Sequence, residues 1–341
     1  MRVLLTGGSG FIAAHVLDHL LEHGHSVVTT VRSKSKADKI RSHHANVDEK
    51  RLSFAIVEDI AKEGAFNDAV VSDPPFEAVI HTASPFHFNA KDVQKDLLDP
   101  AIIGTTDILR SIKKNAHTVK RVVVTSSFAS IVDGSKGTWP EHTYSEADWN
   151  PMTLEDARSS PQAGYRASKT FAEKAAWDFM EKEKPSFTLS TLCPPIVFGP
   201  VSPWLDSLDS VNTSNERTRD LMRGNMKNKL APTGTYVWVD VRDLALMHVR
   251  CIELDGAADQ RYFVTAGIFE NAQIVQIMRQ NFPEYKDGLP QGPDALKDGE
   301  LPEGGVYKVD NSKTSAILGK PWTTLEQSIV DTVKSLKRVA A

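Results

Sequence analysis

The chain has 341 residues, which is enough for about two domains or for one large α/β unit with an appendage. Its 40 basic and 44 acidic residues give a formal net charge of -4, which argues against a nucleic-acid partner, because nucleic-acid-binding proteins carry a basic excess on one face. The hydrophobic fraction of 40% is ample for a folded core, and no apolar run approaches the ~18 residues of a membrane helix.

Short β-branched runs alternate with amphipathic stretches in the first half of the chain. The runs are continuously apolar, which is typical of a parallel sheet covered on both faces. The alternation predicts an α/β fold of right-handed βαβ units, a Rossmann-type doubly wound parallel sheet. The predicted strands are Arg2–Thr6, Ser26–Val31, Leu52–Val57, Ala78–His81, Arg121–Ser126 and Thr188–Cys193, and the predicted helices are Ile12–His23, Leu97–Lys114 and Gly164–Lys182.

A glycine-rich turn follows the first predicted strand and opens a helix. It reads Thr6-Gly7-Gly8-Ser9-Gly10-Phe11-Ile12-Ala13, with GxxGxxA spacing in place of the general GxGxxG. Gly7 would allow a tight turn and Gly10 a close approach of the backbone to a pyrophosphate. The free N–H groups at the start of the helix favour the phosphate charge. The turn therefore predicts a dinucleotide site that includes Phe11 and Ile12, although a plain turn is the alternative.

The residues after the second strand indicate which dinucleotide is bound. Arg32 and Lys36 stand about 20 residues past the turn, where NAD-binding proteins keep an acid and NADP-binding proteins place an arginine. We predict that both cations hold the 2′-phosphate of NADPH, with a solvated basic loop as the alternative. Asp59 and Ile60 follow the third strand, where they would meet the adenine or simply end the strand.

Tyr165 and Lys169 are four residues apart, hence on one face of a helix, and Ser127 follows the fifth strand. A free phenol, with a pKa of about 10, is a poor acid–base group at neutral pH. A lysine cation about 4 Å away would favour the phenolate by up to about three pKa units. We therefore predict that Lys169 lowers the pKa of Tyr165, and that Ser127 binds the substrate oxygen as charge develops there. The alternative is a buried tyrosine beside a lysine on an ordinary helix.

The chain changes character after Cys193, and this sets the predicted domains. Residues 196–235 are rich in Pro, Ser, Asn and Asp, and a strand at 236–239, a helix at 241–254 and a strand at 261–265 follow. A final helix is predicted at 325–339. We expect a Rossmann domain of residues 1–195 plus 236–265 and a smaller interleaved substrate domain of residues 196–235 plus 266–341.

Cys193 and Cys251 lack disulfide-framework and metal-binding spacing, so free thiols in a reducing compartment are expected. The short apolar N-terminus does not resemble a secretory signal. We therefore predict a cytoplasmic protein with no metal, membrane or nucleic-acid partner, as a monomer or a homodimer.

With these motifs the chain resembles an extended short-chain dehydrogenase/reductase over nearly its whole length. Within that group it is similar to fungal NADPH-dependent methylglyoxal/isovaleraldehyde reductases, which are kin to plant dihydroflavonol reductases. Besides the segments already quoted, the likeness is carried by His81–Phe86, Thr125–Ser127, the helix from Tyr165 through Phe171–Trp177, Pro194 to Pro200, and Asp240–Asp243.

The resemblance implies Ser127, Tyr165 and Lys169 as the catalytic residues, with Lys169 also holding the nicotinamide ribose. It implies NADPH as the cofactor, with Ala83, Pro194 and Val197 at the nicotinamide and Ser84 as a further cofactor-binding residue. Where such fungal enzymes often read Asn-Pro-Val-Tyr, this chain reads Cys193-Pro194-Pro195-Ile196, which removes a phenol at position 196. An apolar substrate pocket is predicted from Phe86, Phe88, Phe128, Ile196, Trp204 and Val237, although such residues are core as often as pocket.

The sequence thus predicts an NADPH-dependent reductase that converts aldehydes and ketones to alcohols. One alternative is an enzyme of the sugar-nucleotide epimerase/dehydratase type, but dehydratases usually carry a Thr-Asp-Glu-type acid pair where this chain has Thr125-Ser126-Ser127-Phe128. The other alternative is a non-catalytic NADP-sensing regulator, although such proteins typically lose the tyrosine–lysine pair.

Overall fold

A computed structural model describes residues 1–84 and 92–340, which form two compact units. The first unit comprises residues 1–135, 146–193 and 245–263. The second unit comprises residues 136–145, 194–244 and 264–341. Each unit contains its own sheet structure and its own hydrophobic core.

The first unit is built on a parallel sheet with seven strands in its described residues, in the order β10-β7-β5-β4-β1-β2-β3. The order runs outward from β1 in both directions, so the predicted Rossmann-type sheet is confirmed, and its switch point lies between β1 and β4. The strands are β1 (Arg2–Thr6), β2 (Ser26–Val31), β3 (Leu52–Ile56), β4 (Ala78–His81), β5 (Arg121–Thr125), β7 (Thr188–Cys193) and β10 (Arg261–Phe263).

The helices of the first unit are the predicted ones, with the addition of a short helix at 154–157 and of a longer helix near residue 34. A helix there was not predicted, because its sequence is mostly polar and buries only Ala37 and Ile40. A short π-helical segment, Gln94–Leu98, precedes the third helix. The helices are α1 (Phe11–Glu22), α2 (Lys34–His43), α3 (Asp99–Asn115), α4 (Leu154–Ala157) and α5 (Pro161–Glu183), and the greater part of α7 (Val241–Glu253) also belongs to this unit.

Apolar side chains from both the sheet and the helices form the core of the first unit. Leu4, Val79 and Leu189 from the strands are fully buried and belong to the same cluster as Ile108 and Ile112 of α3. Burying side chains of this kind stabilises the fold by about 1.5–3 kcal/mol each. The carboxyl ends of β1, β4 and β5 are thereby held together at one edge of the sheet.

The second unit contains two small sheets. One of them includes a strand that was predicted to belong to the Rossmann domain. The strand predicted at 236–239 pairs with β8 and β11 in a separate sheet, so it does not join the main one. Residues 143–144 pair with β12, which places this stretch in the second unit as well. The strands are β6 (Thr143–Tyr144), β8 (Ile196–Phe198), β9 (Val237–Asp240), β11 (Gly267–Ile268) and β12 (Lys308–Val309).

The second unit closes with a strongly amphipathic helix. Ile329, Val333 and Leu336, at helical spacing, are fully buried. The helices of this unit are α6 (Thr213–Met222), α8 (Asn271–Asn281), α9 (Pro293–Leu296), α10 (Ser312–Leu318) and α11 (Leu325–Ala340). No helix in the described ranges is both long and apolar enough to cross a membrane.

Candidate active site

The glycine turn after β1 has the backbone geometry that a close-fitting ligand requires. Gly7 has a φ of +76°, and a Cβ atom there would lie 3.0 Å from the Ala83 Cα atom. A Cβ atom on Gly10 would lie 3.1 Å from the Gly7 carbonyl oxygen, which accepts the Gly10 N–H at 2.8 Å. Gly10 is the N-cap of α1, so the first N–H groups of that helix point out of the turn. A phosphate can approach here without meeting side chains.

A cavity of the first unit lies over this turn, and its lining fits NADPH. Arg32 and Lys36 are exposed side chains at its wall and supply positive charge for a phosphate ester. Asp59 is exposed and is not part of the lining; its carboxylate accepts the Ala61 N–H at 2.9 Å. The lining comprises Gly7, Ser9, Gly10, Thr30, Val31, Arg32, Lys36, Val57, Ile60, Thr82, Ala83 and Ser84, and the half-buried Phe11 and Ile12 begin α1.

The predicted catalytic helix is α5. Ser160 caps its start, since the serine hydroxyl accepts the Ala163 N–H at 3.1 Å, and Pro161 occupies the first turn. Tyr165 and Lys169 follow on successive turns, and the Lys169 Nζ atom lies 5.9 Å from the centroid of the Tyr165 ring. The same ammonium donates to the Ser84 hydroxyl at 2.7 Å. Because Ser84 also lines the cavity over the glycine turn, Lys169 connects the helix to that cavity.

Ser127 completes the group from the end of β5. It caps a short 3-10 turn, Phe128–Ser130, and its hydroxyl oxygen accepts the Ala129 N–H at 3.1 Å. The Ser127 hydroxyl also hydrogen-bonds to the Tyr165 phenol, which opposes the rise of the phenol's pKa. The structure therefore brings Ser127, Tyr165 and Lys169 together at one edge of the sheet.

The pKa of Tyr165 differs from the sequence expectation. Burial raises this pKa above its usual value, because the phenolate loses solvation, and the Ser127 hydrogen bond offsets only part of the rise. The predicted lowering by Lys169 is therefore wrong for this structure. The Lys169 ammonium lies 5.9 Å from the centroid of the ring and donates to Ser84, and the pKa of the phenol is set by burial and by the Ser127 hydrogen bond. The phenol is a protonated group at neutral pH.

Lys169 is a half-buried cation without a carboxylate partner among the described residues. Desolvation lowers the pKa of its ammonium to about 8. Among residues 1–84 and 92–340, its hydrogen-bond partner is the neutral Ser84 hydroxyl, and no carboxylate forms an ion pair with it. Nearby, burial and then the Lys169 charge lower the pKa of His81 to about 3, so that imidazole is neutral.

Sequence reasoning missed a buried polar cluster next to these residues. Glu173, four residues beyond Lys169 on α5, is 2% exposed and accepts from the Arg261 Nε atom at 2.8 Å. Ser126, which precedes Ser127, donates to the same carboxylate at 2.6 Å. The spacing of Tyr165, Lys169 and Glu173 along one helix face was a signal for this acid, but the partner on β10 lies far away in the sequence.

The predicted pocket residues are dispersed between the two units. Phe128 is 3% exposed and its ring stacks on Phe263 at 4.9 Å between centroids, so in this structure it packs inside the first unit. In the second unit Pro194, Val197 and Val237 are buried, whereas Ile196 and Trp204 are half-buried. Phe86 and Phe88 lie outside the described residues. No group of three or more potential metal ligands occurs in the described part of the chain.

Comparison with known proteins gives concordant results. A model described as the NAD-dependent epimerase/dehydratase family matches residues 3–265. A ketoreductase of Aspergillus niger is 46% identical over 338 residues, which cover 98% of this chain and 97% of that protein. An NADPH-dependent methylglyoxal reductase of Saccharomyces cerevisiae is 35% identical over 340 residues, 98% of each chain. The crystal structure of Gre2 from Candida albicans in complex with NADPH has a TM-score of 0.89 and 36% identity and covers 100% of both chains.

Proposed function

The chain belongs to the NAD-dependent epimerase/dehydratase family, and on that basis we propose that it is an NADPH-dependent reductase of aldehydes and ketones. One observation carries the proposal: Lys169 donates to Ser84, which lines the same cavity as Gly7 and Arg32. A cavity suited to a dinucleotide and a helix with a protonated phenol are thus joined within one unit. The names of the relatives, a ketoreductase and a methylglyoxal reductase, support carbonyl compounds as the substrate class.

NADPH would be held by the turn at Gly7 and Gly10, with Arg32 and Lys36 at its 2′-phosphate and Lys169 at its ribose. When bound, it supplies the hydride that a carbonyl carbon accepts. The protein contributes binding, orientation and the proton.

Tyr165 is the proton donor for the substrate oxygen. Because burial raises the pKa of this phenol, its O–H is intact at neutral pH, as the reductive direction requires. When the oxygen of a carbonyl group becomes negative, the phenol proton moves to it and leaves a phenolate. The Lys169 cation on the next helical turn then stabilises that phenolate. The Ser127 hydroxyl hydrogen-bonds to the substrate oxygen as its charge develops.

A consequence of Ile196 concerns the substrate class. This side chain replaces the phenol that similar fungal enzymes often carry, and it packs partly against the apolar core of the second unit. The loss of that hydroxyl favours apolar substituents on the carbonyl compound. We therefore propose branched aldehydes and α-keto esters as good substrates.

NADPH absorbance decides between the reductase and its two alternatives. We expect consumption of NADPH with isovaleraldehyde, methylglyoxal or an α-keto ester, and a kcat lowered by about 10²–10⁴-fold in Tyr165→Phe. Tyr285→Phe, in the second unit, is the matched control and retains the wild-type kcat. NADPH binding without turnover of any carbonyl compound would favour the regulator, and conversion of a UDP-sugar without net NADPH consumption would favour the epimerase.

The compartment and the assembly are further proposals. Both cysteines are buried free thiols, which supports the reducing cytoplasm as the compartment. Imaging of a tagged full-length chain tests this assignment. The active species, proposed as a monomer or a homodimer, is measured by analytical ultracentrifugation with NADPH present.

A further inference from the structure

A carboxylate that the proposed chemistry does not use lies one helical turn beyond Lys169. Glu173 is 2% exposed, and its Oε1 atom accepts from the Thr191 hydroxyl at 2.7 Å and from the Arg261 Nε atom at 2.8 Å. Its Oε2 atom accepts from the Ser126 hydroxyl at 2.6 Å and from the Arg261 Nη2 atom at 3.2 Å. Burial alone would raise the pKa of the Glu173 carboxyl, but the Arg261 charge and the hydrogen bonds from Arg261, Ser126 and Ser130 hold this pKa below its usual value.

Arg261 uses its other N–H groups on the chain that follows β5. Its Nη2 atom donates to the Ser130 carbonyl oxygen at 3.0 Å, and its Nη1 atom donates to the carbonyl oxygens of Glu146 and Asp148. The guanidinium also stacks over the Trp149 ring, 3.7 Å from the centroid. The ion pair is therefore fully hydrogen-bonded, which is the condition under which buried charges are tolerated.

The pair is connected to Ser127 from both sides. Ser126 donates to Glu173 and is covalently joined to Ser127. Ser130 donates through its N–H to the Ser127 carbonyl oxygen at 2.9 Å, and its hydroxyl lies within hydrogen-bond distance of both that oxygen and Glu173. The backbone of Ser127 is thus fixed by the same carboxylate that α5 carries eight residues after Tyr165.

We propose that Glu173, held by Arg261, is a positioning residue that sets the Ser127 hydroxyl against the Tyr165 phenol. The inference rests on the proposed function, because it assigns its effect to Ser127. A carboxylate is required, since it accepts hydrogen bonds at both oxygens, whereas the amide of glutamine would direct N–H groups at Ser126 or Arg261. Glu173 does not line the cavity over the glycine turn, and the proposal assigns its effect to the serine that it positions.

A double-mutant cycle tests this role. We expect Glu173→Gln to lower kcat by about 10- to 100-fold, the size of a small misplacement of a catalytic group. In the Ser127→Ala background the same substitution should change kcat by no more than about twofold, because the positioned hydroxyl is gone. NADPH affinity, followed by fluorescence, should stay within about twofold, since Glu173 does not line the cavity over the glycine turn.

A second variant covers the case in which Glu173→Gln does not fold. Ser126→Ala removes one donor and leaves the ion pair, and it should lower kcat by up to about tenfold, again only when Ser127 is present. Ser190→Ala is the matched control, because its buried hydroxyl donates to the Ala257 carbonyl oxygen instead, at 2.7 Å. It should leave kcat unchanged.

Equal losses with and without Ser127, or a loss confined to KM, would overturn the positioning role. If Ser127→Ala alone leaves kcat unchanged, the assignment of Ser127 under the proposed function has failed and the inference fails with it. If the wild-type chain reduces no carbonyl compound, the reductase itself has failed. Measurements on the Ser127→Ala variant and on the wild type therefore distinguish a failure of the positioning role from a failure of the proposed function.

Discussion

Two successive turns of α5 carry desolvated charges that are compensated to different degrees. At Lys169 the cation has a neutral hydroxyl as its partner, and desolvation lowers its pKa to about 8. One turn later Glu173 is matched by the bidentate Arg261 and by three hydroxyl groups. A buried charge without compensation costs free energy, so it is retained where chemistry or a ligand uses it. A fully compensated pair costs little and holds segments of the chain in place.

The largest difference between the two turns concerns activity. We predict that Lys169→Met lowers kcat by about 10²–10⁴-fold, because the cation that stabilises the phenolate is lost. The melting temperature should not fall, since a desolvated ammonium is replaced by an apolar side chain of similar length. Steady-state kinetics and thermal unfolding measure both quantities. Lys174→Met, on the same helix, is the matched control and should retain the wild-type kcat.

The Lys169→Met variant also tests how the free energy of unfolding depends on pH. Between pH 8 and 10.5 the unfolded chain keeps the Lys169 proton while the folded chain loses it, because the folded pKa is lowered to about 8. The free energy of unfolding of the wild type should therefore rise with pH across this window, by up to about 3 kcal/mol relative to Lys169→Met. A wild-type curve parallel to that of the variant would show that the ammonium is compensated after all.

The next prediction concerns the free energy of unfolding and the ion pair of Glu173, one helical turn beyond Lys169. Arg261→Gln leaves the Glu173 carboxylate buried without its counter-ion, which should lower the free energy of unfolding by about 3–5 kcal/mol. Arg121→Gln is the control in the same unit, because its partner Asp255 is 99% exposed and such surface pairs contribute at most about 1 kcal/mol. Urea unfolding compares the two variants. Equal losses of the free energy of unfolding would mean that the buried ion pair contributes no more to stability than the exposed one.

The part of this arrangement that the sequence could predict depends on local patterns. Continuous apolar runs predict the strands of the parallel sheet, and the spacing of four predicts that Tyr165 and Lys169 share a helix face. The glycine turn could be predicted because its signal lies within eight consecutive residues. In each case the residues that determine the structure are neighbours in the chain.

The remainder depends on contacts between distant residues. Ser84 and Lys169 are 85 residues apart, and Glu173 and Arg261 are 88 residues apart, so no spacing rule joins them. The direction of the Tyr165 pKa shift was predicted wrongly for the same reason, because burial by the surrounding chain raises this pKa. The division into units also differs from the prediction, since β9 pairs with β8 and β11 and not with the main sheet.

The smallest expected effect is on NADPH binding and concerns Arg32, a cation at the surface of the first unit. It lines the cavity over the glycine turn, whereas Lys34, two residues on, is 85% exposed and paired with Asp38 at 2.8 Å. If a cation at this cavity serves a ligand, Arg32→Ala should weaken NADPH binding by about 10- to 100-fold, the value of a hydrogen-bonded charge, and leave NADH binding unchanged. Lys34→Ala should alter neither. Fluorescence titration with both nucleotides measures this, and equal weakening of NADPH and NADH would show that Arg32 does not contact the 2′-phosphate.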